Sequence, residues 1–314
     1  MRALPVIRSP TFLGALCALG AAAGFTLNDM AVKALSPDMA LHQVILFRSL
    51  IALALVTLLI MPLTGGLGQV RTRRPLIHLA RGVMVVMANV CFFMALATMP
   101  MAEATAIFFV SPMVIALFSV VFLGETVGPR RWLAILVGFA GVLVIIRPGT
   151  DGFSPVALLP LLAATFYAGL HMITRAVRVT ESAVTLGWYI QIVFLVSAVT
   201  VGLGIGDGRF DRSESESLMF LTRAWFWPDR DLWLLLLLTG IGSAAGGVLI
   251  SQAYRLCEAA VVAPLEYVAM PMAILWGFLV FDEWPEPISW LGMALILASG
   301  VFMIWRETRI AANN

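Results

Sequence analysis

Residues 111–125 read SPMVIALFSVVFLGE and run on to PRRW at 129–132; residues 269–283 read AMPMAILWGFLVFDE and run on to PISW at 287–290. These are one phrase written twice. Pro112, Glu125, Pro129 and Trp132 fall against Pro271, Glu283, Pro287 and Trp290, at offsets of 159, 158, 158 and 158 residues. Gly141 and Arg147 then fall against Gly300 and Arg306, both at 159. A register held this long through mostly apolar sequence marks an internal duplication, which divides the chain into residues 1–149 and 150–314.

The sequence around both copies is built for a bilayer. Of 314 residues, 61% are hydrophobic and only 12% charged, whereas soluble domains carry roughly 45–50% and about 25%. Too few polar side chains remain to cover a water-soluble surface, so that class is excluded. A net charge of +2 gives no basic footprint for nucleic acid. Cys17, Cys91 and Cys257 stand too far apart for a disulfide framework or a metal-ligand spacing.

Apolar runs broken by Pro, Gly or charge predict ten membrane helices, at 11–34, 41–62, 76–98, 102–123, 131–147, 154–177, 182–205, 232–254, 260–281 and 288–305. Each is near the ~20 residues that span a bilayer and does not alternate as a barrel strand would. The expected fold is therefore an all-α polytopic membrane protein. Residues 206–231 are polar and end in a Trp-rich segment. They read as an extramembrane loop with an interfacial helix, anchored by Trp225 and Trp227.

Orientation follows the arginines. With the N-terminus inside, the positions near span ends, among them Arg71, Arg74, Arg81, Arg130, Arg131, Arg175 and Arg255, fall on the cytoplasmic side. Both termini are expected in the cytoplasm and the chain in the cytoplasmic (inner) membrane. Residues 1–27 imitate a secretory signal, but the apolar run continues past Ala21–Ala23 and no cleavage is expected.

Five helices per unit is an odd number. The second unit must enter the membrane from the opposite face, giving the inverted repeat from which alternating-access carriers are built. No G-x-x-x-x-G-K-[ST], HExxH or CxxC occurs, so neither ATP hydrolysis, an enzyme, a metal nor a cofactor is expected. A receptor or scaffold of the same architecture is the competing class; it would tolerate loss of polar residues within the spans.

The repeated passages, Trp132 with Gly138 and Gly141 after it, and PLEYVAMPMAILWGFLVFDE at 264–283 resemble the two EamA repeats of the drug/metabolite transporter superfamily. The resemblance covers nearly the whole chain. It implies a carrier whose cavity lies between the halves, lined mainly by helices 1, 3, 4, 6, 8 and 9. Asp282 departs from the pattern, standing where glycine usually precedes the second glutamate, and 206–231 is longer than usual. The ninth helix is similar to that of riboflavin and S-adenosylmethionine carriers.

Charges inside a span cost roughly 2.5–3.5 kcal/mol on insertion and so mark candidate sites. Glu266 is foremost, preceded by Pro264 and one turn before Pro271. Pro271 is expected to free the carbonyl of Tyr267, and Pro112 that of Phe108, at matching places in the two repeats. The remaining substrate-binding candidates are Phe25, Asn28, Asp29, Asn89, Phe93, Phe108, Tyr167, His171, Ser243 and Tyr267, with Pro112 and Pro271 as helix breaks. For Asp29 an ion pair with Lys33, four residues on, is an equal alternative. For Asn89, interhelical glue is equally open; for His171, a structural role is favoured. Arg48 is expected to snorkel or to bond backbone carbonyls on a peripheral helix. Gly242–Gly246 form a small-xxx-small face for close helix approach. One acid among aromatic rings points first to a cationic or zwitterionic amine or amino acid, and alternatively to a planar vitamin or nucleotide-derived metabolite. The partners are thus a small-molecule solute and the lipid bilayer, with coupling to a proton or a counter-solute left open.

Overall fold

The computed structural model describes residues 10–72, 74–124, 128–150, 152–175, 183–211, 215–257 and 259–312. Among these, ten helices are long and apolar enough to cross a membrane. They are span 1 (Pro10–Leu35), span 2 (Leu41–Thr64), span 3 (Pro75–Leu96), span 4 (Met101–Phe122) and span 5 (Pro129–Ile146). Span 6 (Pro155–Thr174), span 7 (Val184–Ile205), span 8 (Leu232–Leu256), span 9 (Val261–Phe281) and span 10 (Pro287–Trp305) complete the bundle. Each lies within a few residues of its expected bounds. Leu58, Leu133, Leu136, Leu143, Leu203 and Leu279 point outward as a ring of exposed apolar side chains. Water would penalise that surface and hydrocarbon accepts it. The chain is a multi-pass membrane protein.

Local sequence sets the ends. Pro75 and Pro129 open spans 3 and 5, where the missing N–H would be unsatisfied in any case. Gly124 ends span 4 at φ 66, and Asp282 ends span 9 at φ 55. The aspartate that departs from the family pattern thus adopts the same left-handed cap as its repeat partner, a conformation Asp tolerates better than most non-glycine residues.

The packing obeys an exchange of spans 1–5 with spans 6–10. Span 1 lies on span 8 and span 6 on span 3; span 2 meets span 8, and span 7 meets span 3. Spans 4 and 6 touch as spans 9 and 1 do, while 2 with 7, 4 with 9 and 5 with 10 are self-paired under the exchange. This is the pattern an inverted repeat requires. On the 5–10 seam the backbones nearly touch. A Cβ on Gly141 would lie 2.7 Å from the Gly292 carbonyl, and one on Gly292 equally close to the Gly141 carbonyl. The 1–8 seam is similar, with a Cβ on Gly242 only 2.5 Å from the Gly24 carbonyl.

Ten antiparallel spans leave both termini at one end of the bundle, here the terminal end. The other end, carrying 36–40, 97–100, 147–154 and 206–231, is the loop end. Residues 215–231 turn back into the groove between spans 2, 3 and 7. A short helix, Glu216–Thr222, buries Phe220; Ser217 Oγ donates to the Met94 carbonyl at 2.7 Å. Arg223 donates to the Ser36 carbonyl at 2.8 Å. Trp225 packs on Gly202 and donates its indole N–H to His42. Trp227 is 77% exposed, its edge against Phe47. Among the described residues, the groove's symmetry mate, between spans 7, 2 and 8 at the terminal end, stands open as a cleft.

Candidate functional site

Spans 4 and 9 are both broken. Span 4 stops its first helix at Phe108 and resumes at Ser111; span 9 stops at Glu266 and resumes at Ala269. The intervening pairs, Phe109–Val110 and Tyr267–Val268, are 158 residues apart, the offset of the repeat. Proline follows each break because it cannot donate to the preceding turn. The Tyr267 carbonyl, expected to be free, instead accepts from the Met270 N–H at 3.0 Å. The turn itself closes the gap that Pro271 opens.

The two breaks meet. The Phe109 and Tyr267 rings stack with centroids 4.9 Å apart and an interplanar angle of 30°. The Tyr267 hydroxyl reaches under span 10, where a Cβ on Gly300 would sit 1.8 Å from it. That hydroxyl is buried and has no hydrogen-bond partner among the described residues. Glu266, immediately before the break, accepts from the Tyr254 hydroxyl of span 8 at 2.5 Å. On the first-repeat side the rings continue from Phe92 to Phe108 (5.3 Å), from Phe108 to Tyr167 (5.2 Å) and from Tyr167 to His171 (4.5 Å). The two breaks are joined by ring stacking, with one carboxylate at the second break and a row of aromatic faces leading from the first.

The other candidates gather elsewhere. Asn28 donates to Asp29 at 2.9 Å. Asn89 Oδ1 accepts from Arg48 at 3.1 Å, above the buried Phe93 ring. Ser243 accepts from Gln191 at 3.2 Å and lines the open cleft. Phe25 packs against Gly246 on span 8 and is partly exposed.

Two expectations fail here. Lys33 does not neutralise Asp29. Its ammonium lies 2.6 Å from Glu283 Oε1 and donates to the Met99 carbonyl at 2.5 Å. Glu283 also accepts from the Met101 N–H at 3.1 Å, so an acid at the end of span 9 captures the lysine across the bundle. Ser289 to Glu103 at 2.7 Å adds a second tie between the halves at this end. Arg48 does not snorkel: it is 2% exposed, held between span 3 and span 7. Residues missed in the sequence are Tyr254, Gln191 and Phe194. A lone amide in the apolar run of span 7 and the four-residue stripe Ser243, Gly247, Ser251 leading to Tyr254 were the signals available.

Residues 12–147 match the EamA-like transporter family. A riboflavin transporter of Rhizobium johnstonii is 31% identical over 78% of this chain and 75% of its own length. The chain belongs to the EamA-like transporter family. As a member of the drug/metabolite transporter superfamily it is a carrier of small metabolites and not an enzyme. A riboflavin transporter of Vibrio cholerae is 29% identical over 94% of both chains. An S-adenosylmethionine uptake transporter of Rickettsia bellii is 25% identical over 90% of both. A solved structure titled only "Crystal structure of protein" covers 95% of this chain and 98% of its own, at 19% identity and a TM-score of 0.58. It shares the EamA-like fold.

Proposed function

We propose that this protein moves a planar, ring-bearing metabolite of the riboflavin or S-adenosylmethionine kind across the cytoplasmic membrane by alternating access. The observation that carries the reading is the stacked meeting of the two helix breaks, Phe109 on Tyr267, beside Glu266. Broken helices at corresponding places in two repeats are where carriers bind their cargo, and aromatic rings at both breaks supply faces on which a flat solute could stack once they part. The relatives' names agree with that cargo. An amine or amino acid, the first expectation from the sequence, is the weaker reading, because the Glu266 carboxylate is already engaged by Tyr254.

Residues 1–149 and 150–314 are the two rocking units in this account, both termini lie in the cytoplasm, and Glu266 is the residue through which a proton or counter-solute would be coupled. Flux of riboflavin and of S-adenosylmethionine into and out of proteoliposomes tests it. Saturable movement of either, lost in Glu266→Gln, is the expected result. Movement of amines or amino acids alone would restore the weaker reading; no flux of any of them would overturn the carrier of metabolites proposed here.

A further inference from the structure

Arg48 is a buried charge that the Glu266 site does not use. Its Nη1 donates to Asn89 Oδ1, and Asn89 is itself fixed by donating to the Val85 carbonyl at 3.1 Å. The guanidinium carbon lies 4.4 Å from the Phe194 ring centroid and 5.5 Å from that of Phe93. Asp29 of span 1 attracts it electrostatically. The opposite edge of the fork, Nε and Nη2, is buried and donates to nothing among the described residues.

Two acceptors nearby are equally idle. Asn28 Oδ1 and Gln191 Oε1 are buried without a donor. Register makes these one cluster. Gln191 lies one turn from Phe194 on span 7 and donates to Ser243 of span 8. A Cβ on the adjacent Gly242 would meet the Asn28 Cβ at 3.2 Å. Gln191 and Ser243 also form part of the wall of the open cleft, which gives the cluster a way in. Leaving a buried hydrogen-bonding group unpaired costs roughly 1–3 kcal/mol, and more for a charge. A pure clamp between spans 2 and 3 would use Arg48 Nη1 alone and would not account for unmet groups on three adjoining spans.

We propose that Arg48 reads the solute: the Nε–Nη2 edge receives two acceptor atoms set side by side, and Asn28 and Gln191 accept from an N–H next to them. This rests on the carrier reading above and names the chemical group that the site selects. Two solutes carry such a group, a flavin-type ring in its adjacent N5 and O4 acceptors with the N3–H beside them, and an α-amino acid end in its carboxylate with the neighbouring ammonium. Fork geometry distinguishes this role from that of a point charge, since lysine cannot make the paired contact.

The test is equilibrium binding to the full chain in lipid nanodiscs, for wild type and Arg48→Lys. The probes are riboflavin, N3-methylriboflavin, S-adenosylmethionine and its decarboxylated analogue. Wild type should prefer the parent of the pair it binds by at least tenfold, and Arg48→Lys should weaken that parent roughly 10–100-fold while the preference collapses toward one. The pair that behaves so identifies the group. Unchanged parent affinity in a folded Arg48→Lys, with only its melting point lowered, would make Arg48 a clamp and overturn the proposal. So would a wild type indifferent to both modifications, a result that needs no variant and stands if Arg48→Lys does not fold. Binding of neither parent would sink the proposed cargo and this proposal together, whereas binding without discrimination sinks this one alone.

Discussion

The breaks in spans 4 and 9 share a backbone and differ in chemistry. At offset 158, Glu266 and Tyr267 of the second repeat correspond to Phe108 and Phe109 of the first. Duplication supplied two turns at matching depth, and the packing exchange brings them face to face. The side chains then diverged. One turn carries a carboxylate held by Tyr254 and an unpaired hydroxyl; the other continues a row of rings from Phe92 to Tyr167. Symmetry built the place where the halves meet, and its loss made one wall polar and the other aromatic. A flat solute with a polar edge would be oriented by that difference.

The comparison can be broken by moving or removing its polar half. Glu266→Gln keeps the shape and loses the charge; flux in proteoliposomes should fall roughly hundredfold, through the loss of a charge-assisted hydrogen bond. Wild-type flux in that variant would make the asymmetry ornamental. Phe108→Glu puts the acid on the aromatic wall, at an insertion cost of roughly 2.5–3.5 kcal/mol. We expect lower folded yield and at least tenfold less flux from the folded fraction, measured against protein recovered by size exclusion. Tolerance would mean the two breaks are interchangeable.

Smaller changes sharpen it. Glu283→Gln strips Lys33 of its charge partner at the loop end, leaving only the Met99 carbonyl. The state open at that end should gain several-fold in population, read as faster labelling of a cysteine placed at Ser36. Tyr267→Phe leaves the stack with Phe109 intact and removes a buried hydroxyl without a partner. Thermal stability should hold or rise by about 1 kcal/mol, with affinity changed less than threefold; a tenfold loss would show that the hydroxyl touches the solute.

Much of this molecule was legible in one dimension. Span 4 was expected at 102–123 and runs Met101–Phe122, because long apolar runs and prolines are local signals. The repeat was legible for the same reason: its offset needs no structure. What sequence could not give were partners. Lys33 had an acid four residues away and a stronger one 250 residues away, and only the fold decides between them. Pro271 correctly foretold a break, but not that Met270 would take up the Tyr267 carbonyl, since the turn's geometry lies below the resolution of pattern. Arg48 was misjudged because the helix bearing it was taken as peripheral, whereas its neighbours on spans 3 and 7 enclose it. Glu125, the repeat partner of Glu283, falls outside the described residues.

One asymmetry bears on how such a molecule knows which way up it is. The two halves pack so nearly alike that the poles are told apart by what fills their recesses. Among the described residues, 215–231 stopper a recess at one pole, while its twin at the other pole stays unfilled. That stopper labels the pole, so reconstituted vesicles can be sorted by orientation with a protease or antibody directed at it.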